Sequence, residues 1–401
     1  MIVSGVIFLL QAVSGAELLP APTGPHSVGR TAFHWIDRHR PELETLADDD
    51  RREVLVYLFY PAEPNARAPR APYMLDTDVM RGPWNDAQIS QLNAMRAYSR
   101  ENVALVRGTT RFPLVLLSPG GGMRVLTYHV FAEDLASHGY IVAAIEPPYN
   151  ARAIRMPDGR VLGNLAPAQR GWPPARNADD EQRNYRDRIA HMARDMSFVL
   201  DQLTALDRGN GPFARRLDLQ LVGALGHSRG GQAAGAVRVI DPRVRAGINL
   251  DGMAGPFAIQ PINGDDVGTQ PFLWIHKTLP PPPNAEQLQR AGRTLSEYNQ
   301  IVNQLMAGWV RQMQAIRGGA MRIVVDRPGL EHIDFSDESL WNNALTSDAR
   351  AAKLETVALT RAYVRAFFDG SLRGDWTSFR ALISSSTPDV KVFAFRPLWP
   401  Q

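Results

Sequence analysis

Apolar positions along this chain fall into two rhythms. Short continuous runs, each bounded by Pro, Gly or charged residues, recur at Phe112–Ser118 (FPLVLLS), Tyr140–Ile145, Leu219–Leu225, Arg245–Leu250 (RAGINL), Pro271–His276 (PFLWIH) and Met321–Val325. Runs of this kind suit strands buried on both faces. Arg30–Asp37 and Glu53–Tyr60 alternate or run apolar and predict two opening strands. Between the runs, apolar residues recur every three or four positions. Val125–His138, Asp180–Leu206, Gln232–Ile240, Glu286–Ile316 and Leu354–Phe368 are therefore predicted helices, the last of them closing the chain. In Asp180–Leu206 the shared face is Ile189, Met192, Met196, Val199, Leu203 and Leu206, a core stripe rather than a cofactor face.

Two stretches break the alternation. Ala62–Thr110 is a mixed connection with room for a helix around Asp86–Ser99. Glu146–Ala178 is rich in Pro, Gly, Arg and Asn, has no period, and reads as an insertion over one end of the sheet. Strands alternating with helices predict an α/β fold, with a mostly parallel sheet covered on both faces. Ligand sites in such sheets lie at the carboxyl ends of the strands.

The N-terminus adds a targeting expectation. Ile2–Val13 is apolar but too short to span a bilayer, and Ser14-Gly15-Ala16 supplies small residues before Glu17. Residues 1–16 are expected to be a signal peptide, although no basic residue precedes the apolar run. Residues 17–401 are expected to form one domain, secreted or periplasmic, and no other window predicts a transmembrane span. There is no Cys, which excludes disulfides, thiolate metal sites and Cys nucleophiles. The formal net charge is +3, with Lys only at 277, 353 and 391 and Arg scattered, so no nucleic-acid footprint is present.

Gly226-His227-Ser228-Arg229-Gly230-Gly231 stands between the Leu219–Leu225 run and the Gln232–Ile240 helix. Strand, tight turn with Ser at its tip, then helix is the setting in which G-x-S-x-G forms a nucleophile elbow. The plainer reading is an ordinary strand–helix turn. A Ser hydroxyl needs a base, usually a His oriented by a carboxylate. Ser228, Asp251 and His332 each follow an apolar run, in the order Ser, Asp, His. His276 also ends a strand and is the competing base, but it precedes the last strand. His227 is expected to prop the turn. Asp241, Asp334 and Asp337 are alternatives to Asp251, the first as a helix-end residue, the others as helix caps. Gly121, within Pro119-Gly120-Gly121-Gly122, and Arg229 are the expected backbone N–H donors to an oxyanion. The glycine run lacks the spacing of a phosphate loop or dinucleotide fingerprint, and no ligand cluster suggests a metal. Neither a cofactor nor a metal is expected.

These residues resemble the plasma-type platelet-activating factor acetylhydrolases and their bacterial relatives, within the α/β-hydrolase fold. The similar stretches include Gly24–Gly29 (GPHSVG), Leu58–Ala62, Phe112–Gly122, Asp134–Pro147 (DLASHGYIVAAIEP) and Asp195–Leu203. GHSRGG, Gly247–Gly252 (GINLDG), Pro271–Ile275 and His332–Asp337 (HIDFSD) complete the set, from about residue 22 to 370. The resemblance implies Ser228 as nucleophile, Asp251 as acid, His332 as base, Gly121 and Arg229 as oxyanion donors, and a metal-independent serine esterase for short acyl groups. It also admits a lipid substrate and transient contact with a lipid surface. Three positions depart from the family pattern: Pro119 where a His is common, Gly121 in place of a bulkier residue, and Arg229 where an aromatic residue is familiar. They bear on the substrate, since backbone groups do the chemistry. An amidase, peptidase or polyester hydrolase would use the same triad, and a binding protein could keep the scaffold without the activity. Tyr149, Trp172, Trp309 and Met313 are available to close the acyl side, with loop anchoring and core packing as their plainer roles.

Overall fold

The computed structural model describes residues 18–65, 67–82, 84–163, 176–252, 267–279, 281–290, 292–341, 345–385 and 387–399. The expected signal peptide, residues 164–175 of the insertion, and Trp172 lie outside them.

The elements in chain order are β1 (Ser27–Pro41), β2 (Arg51–Ala62), β3 (Arg70–Pro72), α1 (Asp86–Ala94), β4 (Arg96–Glu101), β5 (Phe112–Ser118), α2 (His129–Ser137) and β6 (Ile141–Glu146). A small hairpin, β7 (Ile154–Arg155) and β8 (Val161–Leu162), leads to α3 (Ala178–Arg208), β9 (Leu217–His227), α4 (Arg229–Ile240), β10 (Val244–Leu250) and β11 (Phe272–Lys277). Then come α5 (Ala285–Arg290), α6 (Leu295–Ala315), β12 (Ala320–Val325), α7 (Ser347–Arg373), α8 (Thr377–Ser384) and β13 (Val390–Arg396).

Eleven strands form one sheet in the order β13-β12-β11-β10-β9-β5-β6-β2-β1-β4-β3. From β6 to β12 every pairing is parallel; β2 and β13 pair antiparallel on either side of this block. The continuous apolar runs are explained by cover on both sides. In β5, Val115 and Leu117 pack into the core under α2 and α7, while Leu114 and Leu116 pack into the core under α3 and α4. Successive side chains point to opposite faces, so both faces need apolar residues.

The structure departs from the expected elements in four places. The helix expected over Asp86–Ser99 ends at Ala94, and Arg96–Glu101 is strand β4. Its alternating burial is the strand period, and the Glu133 carboxylate accepts from the Tyr98 and Ser99 N–H groups at 3.2 and 2.7 Å. The helix expected over Val125–His138 opens with a 3₁₀ turn, Val125–Tyr128. The long helix expected over Glu286–Ile316 is two: Gly292 at φ 60° interrupts it, and Thr294 with Glu297 forms a capping box that starts α6. Finally, α7 does not close the chain; α8 and the edge strand β13 follow. Among the described residues no helix is long and apolar enough to cross a membrane.

Candidate active site

β9 delivers Ser228 to the carboxyl edge of the sheet. Ser228 has φ 54° and ψ −120°, a conformation L-residues avoid, and it caps the start of α4. The flanking glycines make that turn possible. A Cβ on Gly226 would stand 2.1 Å from the Gly230 carbonyl oxygen, and one on Gly230 would stand 2.2 Å from that of Ser118. The Ser228 N–H donates to the Leu250 carbonyl at 2.8 Å, which ties the elbow to β10.

Asp251 follows β10 with φ 49°, a second non-Gly residue in the left-handed region. Its N–H donates to Ile275 O at 2.7 Å, its Oδ1 accepts from the Lys277 N–H at 3.0 Å, and its Oδ2 accepts from His332 Nδ1–H at 2.6 Å. That last bond fixes the tautomer: with the proton on Nδ1, Nε2 carries the lone pair a base needs. The Asp251 side chain is 8% exposed and that of His332 45%, so the carboxylate is sheltered while the imidazole faces the opening. The His332 and His227 rings lie 4.5 Å apart, which puts the imidazole beside the residue that precedes Ser228.

The loop bearing His332 is pinned from several directions. Asp334 accepts from the Glu331 N–H and from Lys353 Nζ, at 2.8 and 2.6 Å. Asp337 accepts from the His129 and Val130 N–H groups at 2.8 and 3.2 Å, and from Tyr73 O–H at 3.1 Å. It thereby caps α2, a helix from the other half of the chain.

The competing residues are committed elsewhere. His276 is buried; its Nε2 accepts from Arg322 Nε at 2.7 Å and its Nδ1 donates to Lys277 O at 2.6 Å. Burial and then the Arg322 charge push its pKa down to about 3, so it stays neutral with both nitrogens occupied. Asp241 is held by Arg243. His227 is fully buried, with Nδ1 2.8 Å from the Tyr128 hydroxyl, and burial holds it well below its usual pKa. It props the elbow, as the sequence suggests.

The glycine loop after β5 discriminates among its own N–H groups. Gly120 N–H donates to the Tyr128 hydroxyl at 3.0 Å, and Gly122 N–H donates to Asn150 O at 2.9 Å. Asn150 Nδ2 in turn donates to Gly120 O at 2.9 Å. Among the described residues, no hydrogen bond engages the N–H of Gly121 or of Arg229. Tyr128 and Asn150 were not legible as site residues, because their role is to hold backbone far away in sequence. The one local signal is Tyr149 at φ 63°, a turn directly after Pro147-Pro148.

Of the four residues available to close the acyl side, Tyr149 lines a cavity beside this loop. Trp309 and Met313 instead pack with Phe272, Trp274 and Ile316 in a core under β11. Their stripe on α6 is spent on that core, which removes them from the pocket.

Comparison with known proteins agrees with this architecture. The family described as platelet-activating factor acetylhydrolase, isoform II, matches residues 11–277. "Probable 1-alkyl-2-acetylglycerophosphocholine esterase" of Arthroderma benhamiae is 25% identical over 285 residues, 66% of this chain and 66% of that protein. The platelet-activating factor acetylhydrolase of Cavia porcellus is 25% identical over 349 residues, covering 79% of this chain and 71% of its own. The chain thus spans about two thirds of the length of the curated relatives it matches. The solved structure of a ferulic acid esterase from Streptomyces cinnamoneus superposes with a TM-score of 0.70 at 28% identity, covering 94% of this chain and 99% of that one. With its parallel sheet, its strained elbow and a family match over most of its length, the chain belongs to the platelet-activating factor acetylhydrolase, isoform II, family and has the α/β-hydrolase fold.

Proposed function

We propose that this protein is a serine carboxylic-ester hydrolase that works through an acyl-enzyme. Ser228 is the nucleophile, His332 the base and Asp251 the acid that orients it. The observation that carries the reading is the 2.6 Å bond from His332 Nδ1 to Asp251 beside a serine held at positive φ. His332 Nε2 takes the Ser228 proton as the hydroxyl attacks the ester carbonyl. The Gly121 and Arg229 N–H groups receive the oxyanion, and the imidazolium returns its proton to the departing alcohol. Water, activated by the same imidazole, then releases the acid. The names of the relatives favour short acyl esters, the acetyl group of an alkyl-acetyl glycerophospholipid among them.

None of these steps calls for a cation. A fluorophosphonate probe should label EDTA-treated protein stoichiometrically at Ser228, read by intact-mass and peptide mapping. Absence of label on folded protein, or label only after Ca²⁺ or Zn²⁺ is restored, would sink this mechanism.

Acyl length is a second expected outcome. Tyr149 and the loop after β6 restrict the space beside the glycine loop, so acetyl to butyryl esters should be cleaved well and palmitoyl esters poorly. One methylene in an open pocket shifts kcat/KM by only about 1–3 kcal/mol; a walled pocket should give a sharp drop. The check is kcat/KM along a p-nitrophenyl ester series kept below the aggregation limit of its longer members. A steady rise past octanoate would indicate an open groove.

Residues 1–16 are further proposed to direct export and to be removed, on the strength of the apolar run and the small residues before Glu17. Sequencing of the exported protein should begin at Glu17. Retention of Met1 would refute this.

A further inference from the structure

Beside the glycine loop lies a cavity of about 130 Å³, walled by Pro147 to Asn150 after β6, by Arg188, His191 and Met192 of α3, and by Arg229. Arg52 is neutralised by Glu42 at 3.0 Å and by Asp195 at 2.6 Å. His191 is neutral, its pKa pushed down to about 3 by burial and the Arg52 charge. Tyr149, raised by burial to about 12, is neutral too. Glu44, Arg188 and Arg229 complete its charged lining.

Arg229 is the incomplete member. Its Nη1 reaches Asn150 Oδ1 only at 3.5 Å, and its Nε is buried with no hydrogen-bond partner among the described residues. Glu44 acts on it only from beyond ion-pair contact, and the Tyr185 ring lies 5.9 Å from the guanidinium carbon. Buried donors are normally satisfied, and a guanidinium fork matches a carboxylate. The group also stands where chemistry would reach it. A Cβ built on Gly121 would lie 2.9 Å from the guanidinium carbon, so the cation packs against the loop expected to hold the oxyanion.

The topology says which part of a substrate enters. Asp251 and His332 follow β10 and β12, on one flank of β9; the glycine loop and the cavity follow β5 and β6, on the other. The leaving oxygen must face the base that protonates it. The opposite flank is left for the acyl chain.

We propose that Arg229 receives a carboxylate carried on the acyl part of the substrate, so that half-esters of short dicarboxylic acids are favoured over neutral esters. The inference rests on the ester-hydrolase reading above. At about 130 Å³ the cavity admits only a few heavy atoms. With monoethyl succinate the acyl carbon–oxygen bond breaks. Ethanol leaves with the proton from His332, and the hydroxyl of water completes succinate.

The test compares kcat/KM for monoethyl succinate with that for ethyl butyrate, its neutral counterpart, by pH-stat. The half-ester should be favoured by about ten- to a hundredfold, the factor a charged hydrogen bond supplies. In Arg229→Gln the ratio should fall to about one, and in Arg229→Lys part of the preference should survive, since the charge remains but the fork is lost. The wild-type comparison stands even where a variant fails to fold. A wild-type enzyme that cleaves ethyl butyrate with no preference for the half-ester would overturn this inference and leave the ester-hydrolase reading intact. Equal ratios in wild type and Arg229→Gln would also overturn it. Faster cleavage of ethyl 3-phosphonopropionate than of the half-ester would reject the carboxylate as the ligand. Failure to cleave either ester, with no fluorophosphonate labelling, would remove both readings together.

Discussion

Ser228→Ala, His332→Ala and Asp251→Asn should each lower kcat by roughly 10⁴-fold or more while leaving the fold in place. Each removes a different part of one unit, so the double and triple variants should be little worse than the singles. Asp251→Asn is the most informative. The amide cannot accept from Nδ1–H as a carboxylate does, and the Lys277 N–H still needs the acceptor at Oδ1. The imidazole would then turn to the wrong tautomer with its geometry nearly unchanged. His276→Ala is the contrasting experiment. It frees Arg322 Nε and should cost some stability, but turnover should persist, because both nitrogens of His276 are already engaged. Loss of turnover in His276→Ala with activity retained in His332→Ala would reverse the assignment of the base.

Gly230→Ala should be severely damaging to the elbow. The added carbon would meet the carbonyl oxygens of Ser118 and Pro119 at 2.2 and 2.4 Å, and both are backbone. A flexible side chain could swing away; the end of β5 cannot without moving the glycine loop. Over-packing typically costs about 1–3 kcal/mol and occasionally more, a large share of the roughly 5–15 kcal/mol that holds a domain together. The same displacement draws Gly121 away from Ser228, so surviving folded protein should also lose kcat. Urea unfolding and steady-state rates measured on one preparation check both halves. Wild-type stability would mean that strand and helix approach less closely than described.

The sequence was most readable where physical demands were strictest. A strand covered on both faces has no freedom to be polar, and Phe112–Ser118 begins and ends where the run does. The elbow was legible because backbone carbonyls exclude a side chain at Gly226 and Gly230. His332 could be preferred to His276 by strand order; the hydrogen bonds that occupy His276 could not be foreseen. Edge strands were missed for the opposite reason. β13 is mostly half-exposed or exposed and reads as ordinary surface, and β4 has two of its backbone N–H groups held by Glu133 on another element. The break before α6 hid inside an apolar stripe that runs through it. Trp309 and Met313 were available by sequence to the pocket or, more plainly, to the core, and packing assigns them to the core under β11.

Asp337 joins the loop of the proposed base to the start of α2 across 208 residues, and to Tyr73 across 264. Contacts of such sequence separation form late, since the chain must lose the entropy of a long loop before they repay it. Residues 228, 251 and 332 all sit in the C-terminal half, yet the dock for the base is made by residues 73 to 130. The half that carries the proposed triad therefore lacks the support that aligns it. During refolding, a competent nucleophile should emerge with the slowest structural phase, and its appearance would time the completion of the whole domain rather than the closing of a local turn.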